Sequence, residues 1–168
     1  MKNVIKHQTQ TLKDNCVSTC LAMVLNLDAD KVTHDFHQGY HDGYKEPYEY
    51  LDSNGVPYRK CMSSERSMKP DHVYIVIVPS VNITAGLHCM VIHMTSDSCW
   101  IIYDPNSGRE NTLSYGSFGK DDIPDGCVQI GSWVLEYEFK IEDIAKLYGV
   151  NNPFNGEYIG CDAPTEGK

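Results

Sequence analysis

The chain has 168 residues, of which 41% are hydrophobic and 22% are charged, as is typical of a single globular domain and unlike a disordered or collagen-like chain. Twenty-three acidic and fourteen basic side chains give a net charge of −9, which disfavours binding to nucleic acid or to an anionic membrane surface. The longest apolar stretch, residues 73–78, is far too short to span a bilayer.

The cysteines and the amino terminus predict a cytoplasmic protein. Seven cysteines are an odd number, and a chain of this size buries a core without disulfide bonds. Residues 1–15 lack the apolar segment of a secretory signal. We therefore expect a reducing compartment and no disulfide framework.

The first third of the chain has the pattern of helices. Residues 16–27 place apolar side chains at helical spacing directly after Asp14 or Asn15, either of which is a suitable N-cap, and this predicts a buried helix. A weaker helix is expected over residues 29–38 and should end at Gly39. Pro47 predicts the start of a short helix that ends near residues 54–55.

Strand patterns follow the helices. Strands are expected over residues 57–62, 73–78, 88–94 and 99–103, and residues 128–139 predict one long strand or a bulged pair. The segment 73–78 is apolar on both faces, which indicates a central strand. With a last helix over 141–147, the order of elements predicts one α+β domain over residues 1–150 and a loosely ordered tail over residues 151–168.

Cys16 is the candidate nucleophile. It falls in the first turn of the predicted buried helix, where the partial positive charge and the free N–H groups of the helix terminus favour thiolate over thiol. A thiolate needs a base, a group that orients the base, and donors for the oxyanion. On its own, a cysteine here is more often a small buried hydrophobic residue.

His88 and Asp104 are the candidate base and orienting group. If Thr95-Ser96-Asp97 closes a symmetric hairpin, His88 lies directly opposite Asp104 on one face of the sheet. The carboxylate would then bind one imidazole nitrogen and leave the other for a thiol. A slip of one residue would put the two side chains on opposite faces.

Gln10 is the candidate oxyanion donor. It precedes Cys16 by six residues, so its amide can lie beside the backbone N–H of Cys16, and an amide with a backbone N–H makes an oxyanion hole. Gln8 competes for the same role.

These residues resemble, in order and spacing, the papain-like cysteine peptidases and especially their bacteriocin-processing, double-glycine branch. The resemblance spans about residues 8–108, through QTLKDNCVSTCLAMVL, HCMVIHM and WIIYDPNSG. It implies a papain-like fold with a helical half and an antiparallel sheet. It also implies a Cys16–His88–Asp104 triad assisted by Gln10, no metal and no cofactor, and a peptide or protein substrate, with small residues next to the cleaved bond as a candidate specificity.

Two departures keep the function open within the fold. The family commonly has glycine after the nucleophile, where this chain has Val17, and the transporter segments that accompany the bacteriocin-processing domain are missing. The expected activity is a peptidase or isopeptidase type of cysteine hydrolase. A deamidase, an acyl transferase and a non-catalytic papain-like binding module are the alternatives.

A zinc-stabilised protein is a third class of interpretation. Cys16 and Cys20 share a helix face, and the group His34, His37, His41, Cys61 and Cys89 offers further ligands. The short Cys-x-x-Cys hooks common in structural zinc sites are absent, so we predict no metal site.

Overall fold

The computed structural model describes residues 4–118, 122–151 and 153. Its helices are α1 (Cys16–Leu25), α2 (Ala29–Val32), α3 (Gln38–His41), α4 (Pro47–Ser53) and α5 (Ile141–Leu147), with a π-helical turn (Thr33–His37) joining α2 to α3. Its strands are β1 (Arg59–Lys60), β2 (His72–Pro79), β3 (Leu87–Met94), β4 (Trp100–Tyr103), β5 (Ser114–Gly116), β6 (Cys127–Gln129) and β7 (Val134–Lys140). The α+β prediction is confirmed.

The helix α1 forms where the sequence predicts it, and it ends at Asn26 in the left-handed conformation. Eight of its ten residues are buried, including Ser18 and Thr19, so it is a core helix enclosed on most sides. The prediction for the second helix was wrong at its end. Helical structure continues through Gly39 to His41, because the π-helical turn carries the chain past the glycine that was expected to stop it.

The main sheet is antiparallel, with the strand order β1-β7-β2-β3-β4. The strand β2 is central, as its apolar sequence predicts. The prediction of one long strand or bulged pair over residues 128–139 was wrong, because β6 leaves the main sheet and pairs in parallel with β5. A bulge in β7 also leaves Glu136 without a partner on β2, between the pairs Ile75–Tyr137 and Val76–Leu135.

The sheet is buried on both faces. One face packs against α1 and carries Val73, Ile75, Val91 and Phe139. The other face carries a second cluster that includes Tyr74, Val76, Met90, Ile92 and Leu135. Both faces of the central strands therefore contribute side chains to the core.

The hairpin of β3 and β4 has a register two residues away from the predicted one. Met94 pairs with Trp100 and Ile92 with Ile102, and Ser98 takes a positive φ of 64° in the loop. The predicted opposition of His88 and Asp104 was therefore wrong. Because the shift is an even number of residues, both side chains still belong to the face of Ile92 and Ile102.

Two further expectations concern the whole chain. No helix in the described part of the chain is long and apolar enough to cross a bilayer. Of the described cysteines, Cys16, Cys20, Cys61, Cys89 and Cys127 form no disulfide bond. The predicted loose tail, residues 151–168, lies outside the described residues except for positions 151 and 153.

His93 in β3 gives the fold a testable dependence on pH. Its side chain is 1% exposed, and burial lowers its pKa to about 4, against a smaller opposite effect of Asp71. The unfolded chain takes up this proton near pH 6.5 and the folded chain only near pH 4. The free energy of unfolding should therefore fall by up to about 3 kcal/mol as the pH drops through this window.

Denaturant titrations at about pH 7 and about pH 5 check this prediction. His93→Gln and His93→Leu should remove most of the decrease that wild type shows, whereas His72→Gln on the neighbouring strand should keep it. Equal decreases in wild type and in both His93 variants would contradict it.

Candidate active site

Cys16 lies at the first position of α1 with its side chain half-buried. The side chain of Asn15, the preceding residue, does not cap the helix. Its amide oxygen instead accepts from the N–H of Leu12 at 3.1 Å, and its amide nitrogen donates to Thr33 at 3.0 Å. The first-turn N–H groups of a helix have no acceptor within the helix, so here they are available beside the thiol.

The His88 imidazole contacts two side chains through Nε2, the carboxylate of Asp104 and, at 3.4 Å, the amide nitrogen of Asn106. Its Nε2 lies 2.7 Å from Oδ1 of Asp104, with both side chains buried. The thiol of Cys16 lines the same cavity as the ring and contributes to its electrostatics. Because Nε2 is held by the carboxylate, Nδ1 is the nitrogen left for the sulfur. The structure thus brings together three of the four predicted site residues.

The electrostatics of His88 favour a charged ring. Burial alone disfavours the imidazolium, but the hydrogen bond to Asp104 and the proximity and charges of Asp104 and Cys16 outweigh it and raise the pKa of His88 to about 9. At neutral pH the ring is therefore protonated, and it can stabilise a thiolate on Cys16.

Asp104 is held by backbone donors that the sequence analysis did not identify. Its Oδ1 accepts from the N–H of Asn106 at 2.7 Å, and its Oδ2 accepts from the N–H of Tyr115 at 2.6 Å. The bond to Asn106 is an Asx turn, which the sequence Asp-Pro-Asn-Ser-Gly favours. No local pattern signals the bond to Tyr115, because it joins residues eleven positions apart.

The segment before α1 is bound to the loop that carries Asp104. His7 Nε2 lies 2.8 Å from the carbonyl oxygen of Asp104, Thr9 donates to the carbonyl of Ser107, and the N–H of Gln10 donates to the carbonyl of Pro105 at 2.9 Å. These bonds fix the position of Gln10 relative to Asp104.

The side chain of Gln10 is buried, and its amide nitrogen donates to the carbonyls of Leu12 and Lys13 at 2.8 and 3.2 Å. Its Oε1 is buried without a hydrogen-bond partner among the described residues. In this arrangement Gln10 shapes the loop that enters α1. Its role as oxyanion donor stays a prediction, and it requires the amide nitrogen to give up one of these carbonyls.

Gln8, the competing residue, is engaged elsewhere. Its amide nitrogen donates to the carbonyl of Leu27 at 2.7 Å, and its oxygen accepts from the N–H of Ala29 at 2.8 Å. Both contacts lie beyond the carboxyl end of α1, whereas Cys16 is at the amino end. Gln8 is therefore held at the opposite end of α1 from Cys16.

Cys16 and His88 line a cavity of about 750 Å³. A cavity of this size accommodates a small ligand or a few residues of a peptide. Apolar side chains that include Val17, Leu21 and Trp133 form much of the wall. Acidic and basic side chains also border it, namely Asp14, Glu46, Glu136, Lys60 and Arg66.

The neighbouring cysteines differ from Cys16 in their surroundings. Cys20 is fully buried, and desolvation, with a hydrogen bond to Cys89, raises its pKa. Burial also raises the pKa of the half-buried Cys61 to about 11. These thiols stay protonated at neutral pH, so they are poor nucleophiles.

No family model, curated protein or solved structure matches the chain.

We predict that Cys16 is alkylated selectively near neutral pH. In wild type, iodoacetamide should modify Cys16 at least about ten times faster than Cys61, because only Cys16 has an imidazolium beside it. His88→Ala should slow the modification of Cys16 and leave Cys61 unchanged. Peptide mapping by mass spectrometry measures both rates, with Cys61→Ser as the matched control. Equal rates at the two cysteines, or no effect of His88→Ala, would contradict the prediction.

The bond between His88 and Asp104 should also appear in the stability of the protein. Since the folded pKa of His88, about 9, lies above its unfolded value, this stabilisation is complete below about pH 6.5 and is lost as the pH rises through 9. Asp104→Asn should remove most of this decrease, which amounts to up to about 3 kcal/mol. Thermal unfolding between these pH values measures it, and the exposed Asp125→Asn is the control. A decrease as large in Asp104→Asn as in wild type would show that the carboxylate does not hold the imidazolium.

Proposed function

We propose that this protein is a cysteine-dependent hydrolase that cleaves an amide bond in a peptide or protein, with Cys16 as nucleophile, His88 as acid and base, and Asp104 as the orienting group. The observation that carries the proposal is the His88 ring, which binds the buried carboxylate of Asp104 through Nε2 and lines one cavity together with the thiol of Cys16. A histidine with a purely structural role requires neither a cavity nor an uncapped helix terminus beside it. His88 lines the cavity together with Cys16, and Cys16 lies at the start of α1, where no side chain caps the helix.

The proposed reaction follows from these positions. The thiolate of Cys16 attacks the carbonyl carbon of the scissile amide, and the first-turn N–H groups of α1 stabilise the oxyanion. The carbon–nitrogen bond then breaks, and the imidazolium of His88 gives its proton to the leaving amine. Water attacks the acyl-enzyme while His88 accepts a proton from it, which releases the carboxylic acid and restores Cys16. Asp104 keeps the ring in orientation and stabilises its charge throughout.

The arrangement of elements supports a papain-like fold as part of the proposal. The nucleophile begins a buried helix that packs on an antiparallel sheet, and the base and the orienting group lie on β3 and just after β4 of that sheet. This is the division between a helical half and a sheet that the sequence resemblance implies. The free cysteines are consistent with a reducing, cytoplasmic compartment.

The cavity favours a substrate with small residues at the scissile bond. Val17, in the place of the glycine common in the family, lines the cavity next to the nucleophile. Its branched side chain takes up space that a substrate side chain would otherwise fill. A glycine on the acyl side of the cleaved bond avoids that overlap.

Turnover of fluorogenic acyl substrates tests the proposal. A peptide that ends in Gly-Gly on the acyl side should be hydrolysed, and a matched peptide with leucine at the last position should be hydrolysed at least about ten times more slowly. Cys16→Ala should abolish turnover, and His88→Ala should lower kcat by about three orders of magnitude or more. The control variants Cys61→Ser and His72→Gln should retain wild-type rates.

The same experiment separates the alternatives. Release of ammonia from glutamine side chains without peptide cleavage would replace the peptidase proposal with a deamidase. No turnover of either substrate class by folded protein would indicate a papain-like binding module instead. Turnover that survives Cys16→Ala would refute the proposed chemistry altogether.

A further inference from the structure

A second cluster of chemically active side chains lies outside the triad. It consists of Asp14, in the loop before α1, and of His37 and His41, on the helical segment that contains the π-helical turn. Each of these residues offers one atom that can bind a metal ion. These three atoms all lie within 4.8 Å of one another. It is the one such group of three or more histidine, cysteine or acidic residues within the part of the chain that the structure describes.

The geometry of the cluster is close to that of a metal site. Nε2 of His41 lies 3.0 Å from one oxygen of Asp14, and Nε2 of His37 lies 3.5 Å from the other. With zinc–ligand bonds of about 2.0–2.1 Å, two ligands of a tetrahedral ion are about 3.3 Å apart. The two carboxylate oxygens of Asp14 are thus each close to this spacing from one of the rings, and the three ligand atoms lie within 4.8 Å of one another.

The helix presents the two histidines together. His37 and His41 are four residues apart, which places them on one helix face, and their rings meet edge to face with 5.5 Å between centroids. Two histidines at this spacing are a recurrent way to hold zinc on a helix. The π-helical turn that ends at His37 is an independent sign, since such turns are rare and occur frequently at functional sites.

We propose that Asp14, His37 and His41 form a binding site for a divalent transition-metal ion, with zinc the best match. Two imidazole nitrogens and one carboxylate oxygen suit zinc and its neighbours, whereas magnesium and calcium select oxygen ligands. Three protein ligands leave a fourth tetrahedral position for water or another donor.

The location of the site connects it with the cavity. Asp14 lines the cavity and precedes Cys16 by two residues. His37 is 13% exposed at its side chain, and Asp14 and His41 are more than half exposed, so the cluster is open to solvent on one side. A bound ion would add positive charge at the cavity rim and tie the loop before α1 to α3.

Metal binding is measured independently of hydrolysis. The metal-site proposal can therefore be refuted without affecting the hydrolase proposal, and the hydrolase proposal can be refuted without affecting the metal site. The chelator-treated wild-type protein is titrated with Co²⁺, which gives visible d–d absorption when tetrahedrally bound, and Zn²⁺ affinity is measured by competition with a chromophoric chelator. The variants are His37→Ala, His41→Ala and Asp14→Asn. The matched control is His34→Ala, on the same helical segment, since His34 contacts only Asp35 among the acidic residues near it.

The proposal predicts one tetrahedral ion per chain and at least a roughly tenfold loss of zinc affinity in each of the three variants, with none in His34→Ala. Circular dichroism confirms that each variant is folded. Cys16→Ser tests whether the nearby thiol is the ligand, and it should leave the affinity unchanged. No binding by wild type, equal affinity in the three variants, or an intense sulfur-to-cobalt charge-transfer band lost in Cys16→Ser would each overturn the site.

Discussion

The architecture of the site depends on the carboxylate of Asp104, a buried charge that needs compensation on every side. It receives one ring nitrogen from β3, one backbone N–H from the turn after β4 and one from β5. Three separate parts of the chain thus meet at one side chain. Because an unpaired buried charge is costly, the carboxylate fixes these parts relative to each other and fixes the orientation of the ring. The thiol of Cys16 then meets an imidazole whose position and charge are already determined.

The cysteines of α1 illustrate how the surroundings separate one thiol from another. Cys16 and Cys20 are one helical turn apart on the same helix. Cys20 faces the core and Cys89, where desolvation keeps its proton in place. Cys16 is half-buried at the start of the helix and lines the same cavity as the His88 ring. In the proposed mechanism, position along one helix therefore separates the nucleophile from a thiol that only packs.

Much of the fold could be predicted from the sequence where local patterns are strong. The apolar spacing of α1, the doubly buried β2 and the order of helices and strands are all local signals. The ends of elements depend less on local sequence. Helical structure continues through Gly39, and β6 pairs with β5 instead of joining the main sheet. The contact of His88 with Asp104 was predicted by a register that proved wrong. The contact forms nevertheless, because a register that differs by two residues keeps both side chains on the same face of the sheet. The donor from Tyr115, and the approach of Asp14 to His37 and His41, depend on tertiary structure that no local pattern encodes.

The central claim is that the imidazole of His88 carries its proton at neutral pH, because its hydrogen bond to Asp104 and the neighbouring Cys16 raise its pKa to about 9. Long-range ¹H–¹⁵N correlation spectra of the histidine side chains measure this directly as a function of pH. In wild type, His88 should show the imidazolium pattern at neutral pH and titrate near 9, and in Cys16→Ser its pKa should fall. A ring that titrates near 6.5 in wild type and shows no response to Cys16→Ser would contradict the account.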